Sequence, residues 1–84
     1  MTIVKVSSIA CASCIIINNT LEKILENYKV YIKEYDYDFD DVPYEVGTVL
    51  PVLIFLDKEG NEYARLIGES SYEQIEEKIK ELGE

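Results

Sequence analysis

At 84 residues and 48% hydrophobic content, the chain is sized for one small domain, 1–84, and is too apolar for a disordered segment. Its net charge of −9, from 17 acidic against 8 basic residues, disfavours nucleic acid as a partner, because little positive charge is left to neutralise phosphates. There is no histidine, which excludes any mechanism built on an imidazole base or a Cys–His dyad. No apolar run approaches the roughly 18–20 residues of a membrane span. The N-terminus enters a strand pattern directly, without a basic segment, apolar core or cleavage site, so a cytoplasmic protein with no membrane association is expected.

Thr2–Ser7 is β-branched and apolar at Ile3, Val4 and Val6 and reads as a strand, with Lys5 interrupting it. Ser7, Ser8, Ile9 and Ala10 form a short loop into Cys11-Ala12-Ser13-Cys14. From there the spacing is helical, with Ile17, Leu21, Ile24 and Tyr28 on one side of a helix over about 12–27. The adjacent Ile15, Ile16 and Ile17 suit a helix lying across a sheet and partly covered by another segment. Val30 to Tyr35 alternates as a second strand, with Tyr37 a candidate extension, completing a βαβ unit. The acidic stretch Asp36–Asp41 reads as a solvated loop, and its spacing does not fit an EF-hand.

Pro43 reads as the start of a single helical turn, with Asp41 as its cap and Gly47 as its stop. Pro51 to Leu56 is the most apolar run and is expected to be a central strand. Asp57–Asn61 is then a turn, and Glu62–Ile67 a returning strand that Gly68 ends. Ser70-Ser71-Tyr72-Glu73 reads as a capping box, followed by Tyr72, Ile75, Ile79 and Leu82 at helical spacing until Gly83. The predicted order is β-α-β-(turn)-β-β-α.

The cysteine pair is the chemical signal. A C-x-x-C where a strand hands over to a helix in a βαβ context reads as redox rather than zinc, since structural zinc takes four ligands and this chain offers two cysteines and no histidine. The plainer alternatives are two inert buried thiols, or half of a metal site shared across a dimer. A bond between Cys11 and Cys14 would close a tiny loop and remove little unfolded-state entropy, so it is a weak staple.

On Cys11-x-x-Cys14 after the first strand, Leu50-Pro51 opening the third, and Gly60 and Gly68 bracketing the fourth, the chain resembles the thioredoxin superfamily in its minimal, glutaredoxin-sized form. That resemblance implies an α/β fold with a central four-stranded mixed sheet in the order 2-1-3-4 flanked by helices, and a cis bond before Pro51. It also implies a substrate strand pairing with the backbone of Leu50, and an apolar docking rim of Ala10, Ala12, Leu50, Ile67 and Gly68. The chain departs from the family at Ala10, where thioredoxins carry Trp, and at Ala12-Ser13, where they carry Gly-Pro. It departs again at Lys5, six positions before Cys11, where they carry a buried acid. Glutaredoxins hold glutathione with a glycine-rich turn that Gly68-Glu69-Ser70-Ser71 replaces.

Only a thiolate attacks a disulfide. Cys11 at the helix start faces the positive end of the helix dipole, worth about 0.3–2 kcal/mol, or a pKa lowered by roughly 0.2 to 1.5 units. The expected activity is thiol–disulfide exchange on protein substrates, in which Cys11 captures the substrate and Cys14, at i+3 on the same face, resolves the mixed disulfide. No cofactor is expected. The expected partners are disulfide-containing clients and an upstream reductase, thioredoxin-reductase-like or glutathione, acting on a monomer. The alternatives are a glutathione-dependent glutaredoxin-like reductase and a thioredoxin-fold interaction module without redox activity. For Lys5, a solvent-reaching edge lysine competes with a buried one that pairs with Glu34 and stabilises the Cys11 thiolate.

Overall fold

The structure is a computed structural model that describes residues 2–8, 12–47 and 49–81. It contains β1 (Thr2–Ser7), α1 (Ala12–Asn27), β2 (Tyr31–Asp36), β3 (Val52–Leu56), β4 (Glu62–Ile67) and α2 (Tyr72–Glu81). The strands form one sheet in the order β2-β1-β3-β4, with β1 parallel to β2 and the other two pairings antiparallel.

Period-two alternation divides the sheet into two faces. Ile3, Leu53 and Phe55 point to one face and meet Ile17, Leu21 and Ile24 of α1 and Ile75 and Ile79 of α2. Val4, Val6, Val52, Ile54 and Leu56 point to the other. β1 and β3 are central and therefore apolar on both sides, which is why Val52–Leu56 reads as an unbroken hydrophobic run.

Both helices lie on the first face. The second is covered by Val42, Tyr44, Val46 and Leu50, which corrects the helical turn expected at Pro43. Residues 42–47 form no helix and bend at Pro43-Tyr44, with Val42, Tyr44 and Val46 half-buried and Pro43, Glu45 and Gly47 exposed. Pro43 disfavours the helical region for the residue before it, and burying every second side chain favours a non-helical path. Tyr44 meets Tyr35 of β2 edge-on at 6.2 Å, and Arg65 Nη1 of β4 donates to the Glu45 carbonyl at 2.7 Å. Arg65 is itself held by the Glu62 carboxylate, receiving Nε and Nη2 at 2.8 Å each.

Other expectations shift by smaller amounts. β2 begins at Tyr31, not Val30, and ends at Asp36, although the Tyr37 amide still donates to the Ser7 carbonyl at 2.7 Å. The acidic turn uses its own carboxylates: Asp36 Oδ1 accepts from the Asp38 amide at 2.9 Å and Asp40 Oδ2 from the Asp36 amide at 2.7 Å. The capping box belongs to Ser71 and Gln74, whose amides and side chains bond reciprocally at 2.8 and 3.2 Å, while Ser70 is buried. Ile15 and Ile16 are 67% and 50% exposed, and only Ile17 of that triplet enters the core. Leu82 and Gly83 lie outside the described residues.

A bulge in β4 makes Tyr63 the extra residue between the pairs Leu56↔Glu62 and Phe55↔Ala64. Its ring packs on Phe55 at 6.5 Å and its hydroxyl donates to the Lys78 carbonyl, tying α2 to the sheet. The two helices are clasped directly, with Tyr28 donating to Glu76 Oε2 at 2.6 Å and Asn27 Nδ2 donating to the Tyr72 hydroxyl at 3.0 Å.

The bond to Glu76 pushes the Tyr28 phenol up to about 12, and the same bond holds the Glu76 carboxyl below its ordinary value. The clasp's contribution is therefore complete above the unfolded glutamate value of about 4.3 and is lost as pH falls through the lower folded one. On the alkaline side it is complete below the unfolded tyrosine value of about 10 and is lost as pH rises through the raised one. Thermal melts of Tyr28→Phe across pH are expected to show a Tm deficit at neutral pH that closes in acid below the glutamate range.

Candidate functional site

The register of the sheet brings three chain segments to one edge. Val6 near the end of β1 pairs with Val52 at the start of β3, and Val52 pairs in turn with Ile67 at the end of β4. The chain leaves β1 at Ser7 and enters α1 at Ala12. The first turn of α1 thus follows from the edge at which Leu50-Pro51 opens β3 and Ile67-Gly68 closes β4.

Of the pair singled out by sequence, Cys11 lies outside the described residues, as does Ala10. Ala12 opens α1, and its side chain is not among those described. Cys14 sits in the first turn of α1 and is 5% exposed. It leads the buried stripe that continues through Ile17, Leu21 and Ile24. The helix carries no acidic residue in its first turn, so no carboxylate there opposes a thiolate at its positive end.

On the sheet side, the Leu50–Pro51 peptide bond is cis and Pro51 is fully buried. The Pro51 carbonyl accepts the Gly68 amide at 2.8 Å, which locks the start of β3 to the end of β4. Gly68 takes a φ of +85°, a backbone conformation that favours glycine. Leu50 is half-buried against the second face, whereas Ile67 is 63% exposed. Sequence reasoning missed Val49, which is 56% exposed one residue before Leu50 and close enough that a methyl at Gly68 would lie 3.6 Å from its Cγ1. The signal was available, since a β-branched residue beside Leu50-Pro51 adds apolar surface at that corner. It also missed that the acidic turn reaches this edge, where Ser8 Oγ donates to Asp38 Oδ2 at 2.6 Å.

Lys5 is 4% exposed and faces the helices. Its Nζ lies 2.8 Å from Glu34 Oε1 on β2 and donates to Asn18 Oδ1 on α1. The solvent-reaching lysine is thereby excluded, and the pairing with Glu34 is present. Among the described residues, no three Cys, Asp, Glu or His side chains converge so as to hold a metal ion. No described helix is long and apolar enough to cross a membrane.

No protein-family model and no curated protein matches the chain. Solved structures do. A malarial protein superposes with a TM-score of 0.79 at 17% identity, covering 99% of this chain and 97% of its own. The reduced thioredoxin pre-protein of Schistosoma mansoni superposes with a TM-score of 0.74 at 19% identity, covering 96% of this chain and 77% of its own. With its 2-1-3-4 mixed sheet, the chain has a thioredoxin-like fold.

Replacing Gly68 tests the corner where β3 and β4 meet. The contact with Val49 is ordinary, so the penalty of Gly68→Ala comes from the left-handed backbone, about 1–2 kcal/mol. Urea denaturation is expected to show that loss, whereas Gly47→Ala, which meets nothing within 4 Å, is expected to leave the midpoint nearly unchanged.

Proposed function

We propose that the protein is a thiol–disulfide oxidoreductase that reduces disulfides of protein substrates through Cys11 and Cys14. The observation that carries this reading is Cys14, buried in the first turn of α1 three residues after Cys11, in a chain with a thioredoxin-like fold. Its burial suits a resolving thiol, which acts only once the partner sulfur has been drawn into a mixed disulfide.

In the first step the Cys11 thiolate attacks one sulfur of a substrate disulfide. A bond forms between Cys11 and that sulfur, the substrate S–S bond breaks, and the second substrate sulfur leaves as a thiolate. In the second, Cys14 loses its proton and attacks Cys11 Sγ, releasing the remaining substrate thiolate and closing the Cys11–Cys14 disulfide. The substrate has gained two electrons and the protein has lost two. An upstream dithiol reductase or glutathione returns them, and no bound cofactor takes part.

The helix dipole and the amides of the first turn stabilise the attacking thiolate. The apolar residues Val49, Leu50 and Ile67, with Gly68 and the small Ala10 and Ala12, form the docking rim for an extended client segment, beside the buried cis Pro51. The protein works as a monomer in a reducing compartment, the cytoplasm, where such thiols stay available.

Dithiothreitol-driven insulin reduction is expected to be accelerated by the wild-type protein and to fall to the uncatalysed rate in Cys11→Ser. Equal rates for the two proteins would leave an interaction module as the better description. Cys14→Ser is expected to accumulate a client mixed disulfide, visible as a reducible adduct by mass spectrometry. Reduction sustained by glutathione and not by a thioredoxin reductase would assign the glutaredoxin-like variant of the same chemistry.

A further inference from the structure

Lys5 is a buried charge in a strand whose other buried residues are apolar. An ammonium taken out of water is costly unless it is paired and hydrogen-bonded, and two neighbouring elements supply partners. Glu34 is its register partner on β2 and approaches to 2.8 Å; Asn18 accepts from α1. Asn18 stands four residues after Cys14, so the two share a helix face and lie about 6 Å apart along the axis. The ammonium is therefore on the order of 10 Å from the Cys14 sulfur.

The pair is lopsided in its contact with water. The Lys5 side chain is 5% exposed and that of Glu34 65%, so solvent screens the carboxylate far more than the ammonium. Beneath the opening turns of α1 the ammonium is thus the less screened charge of the pair. Glu22 of α1 lines the same shallow groove as Asn18 and Glu34, and Lys33 of β2 points to the opposite face, 5.4 Å over the Tyr35 ring.

We infer that Lys5 is a positioning residue for the Cys11–Cys14 couple: its buried ammonium, moderated by Glu34, holds the dithiol toward its reduced, anionic form. This rests on the redox reading of the cysteine pair. The relevant equilibrium is with glutathione. Two glutathione thiols reduce the protein disulfide; one S–S bond breaks in the protein, one forms in glutathione disulfide, and two electrons and two protons pass to the protein. One of those protons is released when the reduced pair carries a thiolate, and that is the state a nearby cation favours.

The test is the glutathione redox equilibrium of the full chain, read by alkylation and mass spectrometry. Lys5→Met keeps the apolar stem and removes the charge, and is expected to lower the equilibrium constant for reduction. The expected drop is roughly threefold to tenfold, the scale for unit charges on the order of 10 Å apart at an effective dielectric of about 20 after screening. Glu34→Gln, at an exposed position on an edge strand, leaves the ammonium uncompensated and is expected to raise the constant. A structural role alone would change Tm without moving the constant in opposite directions. If Lys5→Met does not fold, Glu34→Gln decides: a constant unchanged or lowered overturns the assignment. A wild-type couple that equilibrates while both variants stay within about twofold of it overturns the role of Lys5 and leaves the redox reading standing. A wild-type chain that forms no Cys11–Cys14 couple with glutathione overturns both.

Discussion

The antiparallel pairing of β1 with β3 is the constraint on which the remaining architecture depends. Thr2↔Leu56 through Val6↔Val52 is a short ladder, but it joins the two strands that are buried on both faces. Because a one-residue slip would send every side chain to the opposite face, apolar side chains on both surfaces alone do not set the register. Lys5 does. Only one alignment of β1 gives its ammonium both Glu34 and Asn18, and a slip would move it to the face covered by Val46 and Leu50. The same register carries Pro51 to the edge from which α1 departs.

Burial is unevenly shared between the two surfaces of the sheet. One receives the clasped helices, tied by Tyr28, Asn27 and Tyr63 to each other and to the strands. The other receives a strap of alternate side chains. A small chain must find a second layer for each surface, and here it does so with one helical layer and one irregular strap.

Strand and helix assignments were legible because their periods are strong. Ile17, Leu21 and Ile24 are buried at helical spacing, and Val52–Leu56 has the composition of a central strand. The strap was not read correctly because Asp41, Pro43 and Gly47 imitate the cap, first residue and stop of a helix, while Val42, Tyr44 and Val46 carry the competing two-residue period. Tertiary burial decided in favour of the second. The cap of α2 was displaced by one residue because Ser70 and Ser71 offer the same hydroxyl, and only Gln74 distinguishes them. The triplet Ile15–Ile17 overstated the covering of α1, since apolar content does not say which flank a neighbour will occupy. For the candidate site, the C-x-x-C and Leu50-Pro51 were visible in the sequence. The burial of Lys5 was not, because a lysine in a strand is ambiguous until its partners on other elements are known.

The strap also bears on how the margin of the sheet is held. Its backbone is pinned to the sheet at Glu45 by Arg65, and it runs on through Val49 to Leu50 and Pro51. Arg65 belongs to β4, two residues before Ile67, and the Gly68 amide grips Pro51. The fourth strand is thus stapled to the covering segment at one point and to the corner at another, a linkage to the proline that runs through neither helix.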